Sequence, residues 1–313
     1  MTFARTPWRA AFGALAALCL AADSNPRWDF LRMNLQVFPG TDKIFEPDPR
    51  LFWKLKPNLS RIQAAEKLPD REYPFRVSTD SNGRRLTPAA PDGAPEALFL
   101  GDSCTFGIPV NDDEAFPSQA AQAVKMKAIN AGVPGYSVFQ GRLLLEAAAV
   151  RPRFVVITFW LNDRTSWDNL SDREHFELLA AERAGEFSRL NLLRILRRAA
   201  APRPRLDDGE FEQELTATVE TARRIGAVPV LVIWPYARQI AGEPEEPRQG
   251  IIRRVGSKAN VRVVDLAPRF RQHRGRDLFA DAVHATSAGY RIAGAAVAEA
   301  LRAAAGDQAG RRE

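Results

Sequence analysis

Short runs of apolar residues recur at wide intervals through the last two thirds of the chain. Each run holds four to seven residues that are almost all apolar. This pattern is typical of strands buried on both faces of a parallel sheet, because a strand with one face in water would alternate apolar and polar residues. We therefore predict five strands, at residues 97–100, 128–131, 154–160, 228–234 and 261–266.

Helical periodicity fills the intervals between these runs. The clearest helix carries Phe211 and Leu215 on one face, and Gly226 is placed to end it. In the last helix, Thr286 or Ser287 can act as the N-cap. Strand and helix alternate five times, which predicts an α/β fold: a three-layer α/β/α sandwich around a parallel sheet of about five strands. In such folds, active sites lie at the carboxyl ends of the strands.

The segment before the first strand has a different character. Residues 23–96 contain short apolar patches that are broken by proline and glycine. Residues 75–79 alternate as a strand does, and residues 87–95 (TPAAPDGAP) resemble a linker. We interpret the whole segment as an N-terminal extension and linker, partly irregular and partly β.

A long spacer separates the third predicted strand from the fourth. Residues 164–208 form a helical insertion that we predict to hold two helices, at about 172–184 and 187–200. Residues 189–198 are apolar on one side and basic on the other. They fit either a helix packed on the domain with a solvated basic face or a lid or membrane-surface helix.

Basic residues and an apolar run open the chain. Arg5 and Arg9 precede residues 10–22, which are apolar and are followed at once by polar residues. This run is short for a membrane-spanning helix and fits a secretory signal. Residues 1–22 are therefore predicted to be a signal peptide or membrane anchor. The remaining chain would be exported: periplasmic, secreted or held at the membrane by residues 10–22.

Composition narrows the choice of partners. Apolar residues make up 45% and charged residues 26% of the chain, which are ordinary globular values. The net charge of +6 is spread along the sequence, so we expect no nucleic-acid partner. His175, His273 and His284 stand far apart, and we expect neither a metal nor a cofactor. If Cys19 leaves with the signal, Cys104 remains alone and no disulfide framework is implied.

A serine follows the first predicted strand directly. Ser103 lies on a turn with Gly101 before it and Gly107 after it. Such a turn exposes the hydroxyl and leaves backbone N–H groups nearby, as a nucleophile and its oxyanion donors require. Glycine and serine also occur in ordinary strand-to-helix turns, so this motif alone does not establish chemistry.

Three further motifs follow the ends of other predicted strands. Residues 130–136 (NAGVPGY) form a glycine-rich turn after the second strand. Asn162 follows the third strand and offers a side-chain amide. Asp281 and His284 follow the fifth strand, just before the last helix. The carboxyl ends of parallel strands meet at one edge of a sheet, so these groups are expected to converge with the serine.

Taken in order, the blocks GDS, NAGVPG, ND and DxxH resemble those of the SGNH/GDSL hydrolase superfamily. The resemblance covers about residues 97–304 and implies a flavodoxin-like catalytic domain over that range. It also implies a serine esterase or acyltransferase that uses a Ser-His-Asp triad.

The resemblance assigns a role to each matching residue. Ser103 would attack the acyl carbonyl, His284 would take its proton, and Asp281 would orient and stabilise the imidazole. The oxyanion hole would be formed by the N–H of Ser103, the N–H of Gly135 and the amide of Asn162.

Other residues near these motifs are given structural roles. Asp163 is expected to brace its block rather than react. His175 repeats the DxxH spacing with Asp172, but we interpret it as an exposed residue of a polar helix. His273 lies in a basic turn, and Cys104 is expected to point into the protein as a small buried residue.

One position departs from the superfamily pattern. The third block commonly opens with glycine, whereas here Trp160 occupies that place. The indole would either face the pocket and favour short acyl groups, or pack beneath the sheet and leave acyl length unaffected.

The leading functional hypothesis is hydrolysis of acyl esters, with short acyl groups on an exported glycan or lipid as substrate. The alternative is transfer of an acyl group to a polysaccharide hydroxyl by the same triad. A non-catalytic carbohydrate-binding role is disfavoured, because all three triad positions are filled. Association with a membrane would come through the N-terminus.

Overall fold

The computed structural model describes residues 43–68, 71–166, 169–183, 203–273 and 277–309. Within these ranges the strands are β1 (Phe45–Asp48), β2 (Phe52–Leu55), β3 (Ile62–Lys67), β4 (Glu72–Val77), β5 (Glu96–Gly101), β6 (Lys127–Gly132), β7 (Phe154–Thr158), β8 (Val228–Ile233) and β9 (Arg262–Asp265). The α-helices are α1 (Ser103–Phe106), α2 (Phe116–Ala123), α3 (Val138–Ala147), α4 (Asp172–Arg183), α5 (Asp208–Arg224), α6 (Ala237–Ile240), α7 (Pro247–Lys258), α8 (Ala267–Arg271) and α9 (Ser287–Ala309). A short 3₁₀ turn spans Asn162–Arg164.

A five-stranded sheet forms the centre of the fold. Its strands run in the order β6-β5-β7-β8-β9, and every pairing is parallel. Each of the five predicted apolar runs is one of these strands, so the predicted α/β fold with a five-stranded parallel sheet is confirmed. The apolar runs are long because both faces of the sheet are covered.

Two apolar clusters cover the two faces. Along β5, Leu98 and Leu100 belong to one cluster, whereas Ala97 and Phe99 belong to the other. The first cluster includes side chains of α3, α5 and α7, and the second includes side chains of α2 and α9. This alternation follows from the two-residue period of a strand. The result is the predicted three-layer sandwich.

The helix predicted from Phe211 and Leu215 is α5, and both of its ends have a local cause. At its start Asp207 and Glu210 form a reciprocal capping box. Just after its end Gly226 has a φ of +86°, a left-handed conformation that glycine adopts at little cost. The sequence-based interpretation of Gly226 as the stop is confirmed.

The extension packs into the same core as the sheet. β1 pairs with β2 and β3 pairs with β4, both antiparallel. Trp53, on β2, is fully buried, and its Nε1 donates to the carbonyl of Pro134 at 3.1 Å. The Tyr136 hydroxyl donates back to the carbonyl of Trp53 at 2.5 Å. The predicted strand near residues 75–79 is β4, whereas residues 87–95 contain no helix or strand. The extension is therefore a layer against the NAGVPGY turn.

Some expectations concern residues outside the described ranges. These are the signal or anchor at residues 1–22, the second insertion helix at 187–200 and the amphipathic stretch at 189–198. The first insertion helix is present as α4. Among the helices that the structure describes, none is both long enough and apolar enough to span a membrane.

Trp160 lies in the core just beyond β7. Its side chain is only 1% exposed. The indole Nε1 donates to the carbonyl of Trp234 at 3.0 Å, and the ring meets Tyr236 edge-on with 4.8 Å between centroids. Of the two alternatives predicted for Trp160, facing the pocket or packing in the protein, the structure shows packing in the protein. The indole is therefore a packed structural element just beyond the carboxyl end of β7.

Replacing Trp160 should therefore be costly for folding. We expect Trp160→Gly to lower the free energy of unfolding by about 3–5 kcal/mol, because a large buried ring is removed and a cavity remains. Denaturant unfolding of the purified variant measures this. Leu86, an exposed apolar residue, provides the control: Leu86→Ala should change stability by less than about 0.5 kcal/mol. Equal losses in the two variants would contradict the packing role.

Candidate active site

The Ser103 turn lies directly against the ends of two strands. A Cβ added at Gly101 would come within 2.0 Å of Thr105 Oγ1 and 2.7 Å of the Thr158 carbonyl oxygen. A Cβ at Gly132 would come within 2.3 Å of the Phe106 nitrogen. Both positions therefore require glycine for close approach rather than for an unusual φ. This contact places the serine at the carboxyl edge of the sheet.

A chain of hydrogen bonds joins the three residues of the predicted triad. His284 Nε2 lies 2.8 Å from Ser103 Oγ, and His284 Nδ1 lies 2.6 Å from Asp281 Oδ2. Asp281 Oδ1 also accepts from the backbone N–H groups of Val283 and His284, at 2.7 and 2.6 Å. The DxxH turn thus fixes its own carboxylate. With the proton on Nδ1, the Nε2 lone pair faces the serine hydroxyl.

The electrostatics of the pair favour a charged imidazole. Burial lowers the pKa of His284, but the hydrogen bond and the negative charge of Asp281 outweigh it, so the pKa lies above the ordinary histidine value. Burial raises the pKa of Asp281, but the bonds from His284 and Val283 outweigh it, so the pKa lies below the ordinary value. Ser103 and His284 are each 7% exposed, so both are largely desolvated but retain a small accessible area.

The predicted oxyanion donors lie on neighbouring turns. Gly135 has a φ of +81°, which favours glycine at this position. Over the described ranges, neither its N–H nor that of Ser103 donates a hydrogen bond to another residue. The Asn162 amide donates to Asp102 Oδ2 at 3.2 Å and to the Tyr136 carbonyl at 3.3 Å. Asn162 therefore lies beside the serine turn, with its amide hydrogens directed to these acceptors.

Asp102 supports the turn from inside the protein. Its Oδ1 accepts from the Cys104 N–H at 2.9 Å and caps α1, while its Oδ2 holds Asn162. Burial raises the pKa of Asp102 to about 7, although the bond from Cys104 and the charge on His284 lower it. Cys104 itself is fully buried, as predicted.

Asp163 joins the Asn162 turn to α3, the helix that precedes β7 in the chain. Its Oδ1 accepts from the N–H of Val138, the first residue of α3, at 2.8 Å. Burial raises the pKa of the Asp163 carboxyl to about 6, against the opposing effect of that bond and of the nearby arginines Arg205 and Arg248. The contact accords with the expected bracing role. It links the Asn162 turn to the helix that follows the NAGVPGY turn.

A buried ion pair that sequence reasoning missed holds the Gly135 turn. Arg205 and Asp172, at the two ends of the helical insertion, have fully buried side chains. Arg205 Nε and Nη2 reach the two Asp172 oxygens at 2.8 Å each, and Arg205 Nη1 donates to the Gly135 carbonyl at 2.5 Å. Asp172 also accepts from the Ser137 hydroxyl. Arginine and aspartate are rarely buried, so the residue types give no signal of this pairing.

The other two histidines lie away from the triad. The prediction that His175 is an exposed helix residue is wrong: it is 1% exposed, and its ring lies 6.0 Å from that of Phe52. The reason is that β2 of the extension covers this face of α4, which could not be inferred from a polar helix. His273 lies in a turn and is half-buried.

One group of potential metal ligands occurs among the described residues. Oxygen or nitrogen atoms of Glu66, Asp281 and His284 lie within 4.8 Å of one another, but Asp281 and His284 are already bonded to each other. An open groove of about 940 Å³, lined in part by Glu96 and Lys127 at the starts of β5 and β6, lies at the opposite edge of the sheet from Ser103. The Glu66, Asp281 and His284 group, by contrast, lies at the edge that carries Ser103.

The Arg205–Asp172 pair should be essential for folding as a pair. Arg205→Met leaves a buried carboxylate without its cation, and we expect a loss of about 3–5 kcal/mol in the free energy of unfolding. The double variant Arg205→Met/Asp172→Leu should recover much of this loss. Arg269→Met, which removes the exposed pair with Glu299, is the control and should cost less than about 1 kcal/mol. A double variant no more stable than Arg205→Met would contradict the account.

Comparison with known proteins identifies a family that this chain matches. The sequence profile of the GDSL-like lipase/acylhydrolase family matches residues 99–292. No curated protein matches the chain.

Solved structures similar to this chain include three lipolytic or esterase proteins. They are a lipase/acylhydrolase from Enterococcus faecalis (22% identity, 67% of this chain and 96% of that one, TM-score 0.46), the acetyl xylan esterase AlAXEase (18%, 66% and 99%, 0.47) and a member of the lipolytic protein G-D-S-L family from Veillonella parvula (16%, 66% and 97%, 0.44). Because the family profile covers more than half of its length, this chain belongs to the GDSL-like lipase/acylhydrolase family.

Proposed function

We propose that this protein is a serine esterase in which Ser103, His284 and Asp281 form the catalytic triad. Membership of the GDSL-like lipase/acylhydrolase family supports a reaction on acyl esters. The observation that carries the assignment is the continuous chain from Ser103 Oγ through His284 to Asp281, with contacts of 2.8 and 2.6 Å. These distances are within the range of a nucleophile paired with its base.

The reaction would proceed in two halves. Ser103 Oγ attacks the ester carbonyl as its proton moves to His284 Nε2, and Asp281 stabilises the imidazolium that forms. The imidazolium then protonates the departing alcohol, and the acyl group remains on Ser103. In the second half, His284 takes a proton from water, the hydroxide attacks the acyl-serine, and the carboxylic acid is released as Ser103 regains its proton.

The oxyanion of each tetrahedral intermediate needs preorganised donors. We assign this role to the N–H groups of Ser103 and Gly135 and to the Asn162 amide. Arg205 supports the assignment, because its bond to the Gly135 carbonyl holds the peptide turn in place. Asn162 would redirect one of its amide hydrogens from Asp102 or the Tyr136 carbonyl to the developing oxyanion.

We propose an acyl ester of a glycan or a lipid as substrate, without nucleic acid as a partner. Because Trp160 packs in the core, this residue gives no reason to expect a preference for short acyl groups. Transfer of the acyl group to a sugar hydroxyl uses the same first half-reaction. Product analysis with and without an added sugar acceptor separates the two activities, because hydrolysis releases free acid whereas transfer needs the acceptor.

The triad can be tested with p-nitrophenyl esters of increasing chain length. Ser103→Ala and His284→Ala should each lower kcat/KM by several powers of ten, and the double variant should fall little further, because the residues act as a unit. His273→Ala, a histidine outside the site, is the control and should keep wild-type turnover. Near wild-type activity of Ser103→Ala on every ester would rule out this mechanism.

We also propose that residues 1–22 direct the chain out of the cytoplasm, since Arg5 and Arg9 precede the apolar residues 10–22. In a bacterial host, the full-length protein should appear in the periplasmic, secreted or membrane fraction. A variant lacking residues 2–22 should stay in the cytosol. Full-length protein recovered uncleaved from the cytosol alone would refute this proposal.

A further inference from the structure

A carboxylate from the extension lies beside the triad. Glu66, on β3, has an oxygen within 4.8 Å of a ligand-type atom of both Asp281 and His284. It lies outside residues 99–292, the range that matches the family profile. The site therefore contains an acidic group that the family motifs do not supply.

Strand alternation places Glu66 on the inward face of the β3–β4 hairpin. The cross-strand partners on this face are Ile62 with Val77, Ala64 with Phe75 and Glu66 with Tyr73. Phe75 and Val77 are buried, and Ile62 and Ala64 pack against the core. A carboxylate on a face that is otherwise apolar loses hydration, and this is costly unless a positive charge compensates. His284, within 4.8 Å, is a group that can acquire such a charge.

We propose that Glu66 is a positioning residue for the triad, a second carboxylate that stabilises the His284 imidazolium formed when Ser103 gives up its proton. This inference rests on the proposed esterase function. Glu66 forms no covalent bond and takes no proton in the step: the proton of Ser103 moves to His284 Nε2, and Asp281 remains the hydrogen-bonded partner on Nδ1. The contribution of Glu66 is the negative charge it holds within 4.8 Å.

The charges around His284 support this role. Three carboxylates face it: Asp281 from its own turn, Glu66 from β3 and Asp102 from the end of β5. All three raise the pKa of His284 against the effect of burial, Asp281 most and Glu66 next. Burial raises the pKa of Glu66, the charge of Asp281 adds to this, and His284 opposes it. The Glu66 carboxylate and the His284 imidazolium therefore stabilise each other.

A substrate-independent probe can test the proposal. A fluorophosphonate reacts with an activated serine: the Ser103 oxygen forms a bond to phosphorus, fluoride leaves, and the serine proton moves to His284. The labelling rate follows the neutral fraction of His284, so a shift of the acid limb between variants reports a change in the pKa of His284. The labelling rates of wild type, Glu66→Gln and the control Glu72→Gln would be compared across pH. All three proteins retain Asp102, so its effect on His284 is common to them. Glu72 lies on β4 of the same hairpin and is exposed.

We expect Glu66→Gln to move the midpoint of the acid limb to lower pH by about half to one unit, because removing a negative charge lowers the pKa of His284. The plateau rate should fall about threefold to tenfold, since the imidazolium loses stabilisation. Glu66→Asp, which keeps the charge, should retain a midpoint near that of wild type. Glu72→Gln should match wild type in both respects.

The outcomes separate this inference from the proposed function. If Ser103 in the wild type is not labelled above the Ser103→Ala background, the esterase proposal fails. If the wild type is labelled and a folded Glu66→Gln, checked by its Tm, keeps the wild-type midpoint, the inference alone is overturned. A change confined to KM for an ester, with no shift of the acid limb, would also overturn it, because Glu66 would then bind substrate rather than stabilise His284.

Discussion

The contact between the Ser103 turn and the ends of β5 and β6 is the constraint on which the site depends. Gly101 and Gly132 leave no side chain between the turn and the sheet. Because the turn lies this close, Asp102 can cap α1 and also hold the Asn162 amide of the neighbouring turn. A side chain at either glycine would push Ser103 away from the edge of the sheet where it contacts His284. Backbone packing therefore sets the position of the Ser103 hydroxyl.

Buried polar groups then join segments that are distant in sequence. Asp163 links the Asn162 turn to α3, and the Arg205–Asp172 pair joins the ends of the insertion to the Gly135 turn. A buried charge is tolerated only when it is paired and hydrogen-bonded, so each of these groups requires one particular arrangement of its neighbours. The edge of the sheet that carries Ser103 is consequently held by directional contacts, whereas the two faces of the sheet are held by apolar packing.

The sequence predicts the strands well and the supporting residues poorly. The five strands are recognisable because burial on both faces gives nearly continuous apolar runs. Ser103, Asp281 and His284 could be proposed because the ordered blocks GDS, NAGVPG, ND and DxxH resemble those of a known superfamily, and the structure brings the three residues together. Glu66 and Arg205 could not, since charged residues are usually exposed and nothing local indicates their burial. The same limit explains why His175 was wrongly expected at the surface.

The docking of the extension has a consequence for the order of folding. The Trp53 indole donates to the carbonyl of Pro134, 81 positions later in the chain. The Leu51 carbonyl accepts a hydrogen bond from the Gln140 side chain, 89 positions later. Such non-local contacts carry a loop-closure cost that must be met before they contribute to stability. A growing chain therefore presents the aromatic side chains of β2 well before the turn that covers them is available. We expect this early segment to depend on protection from aggregation until the middle of the sequence has been made.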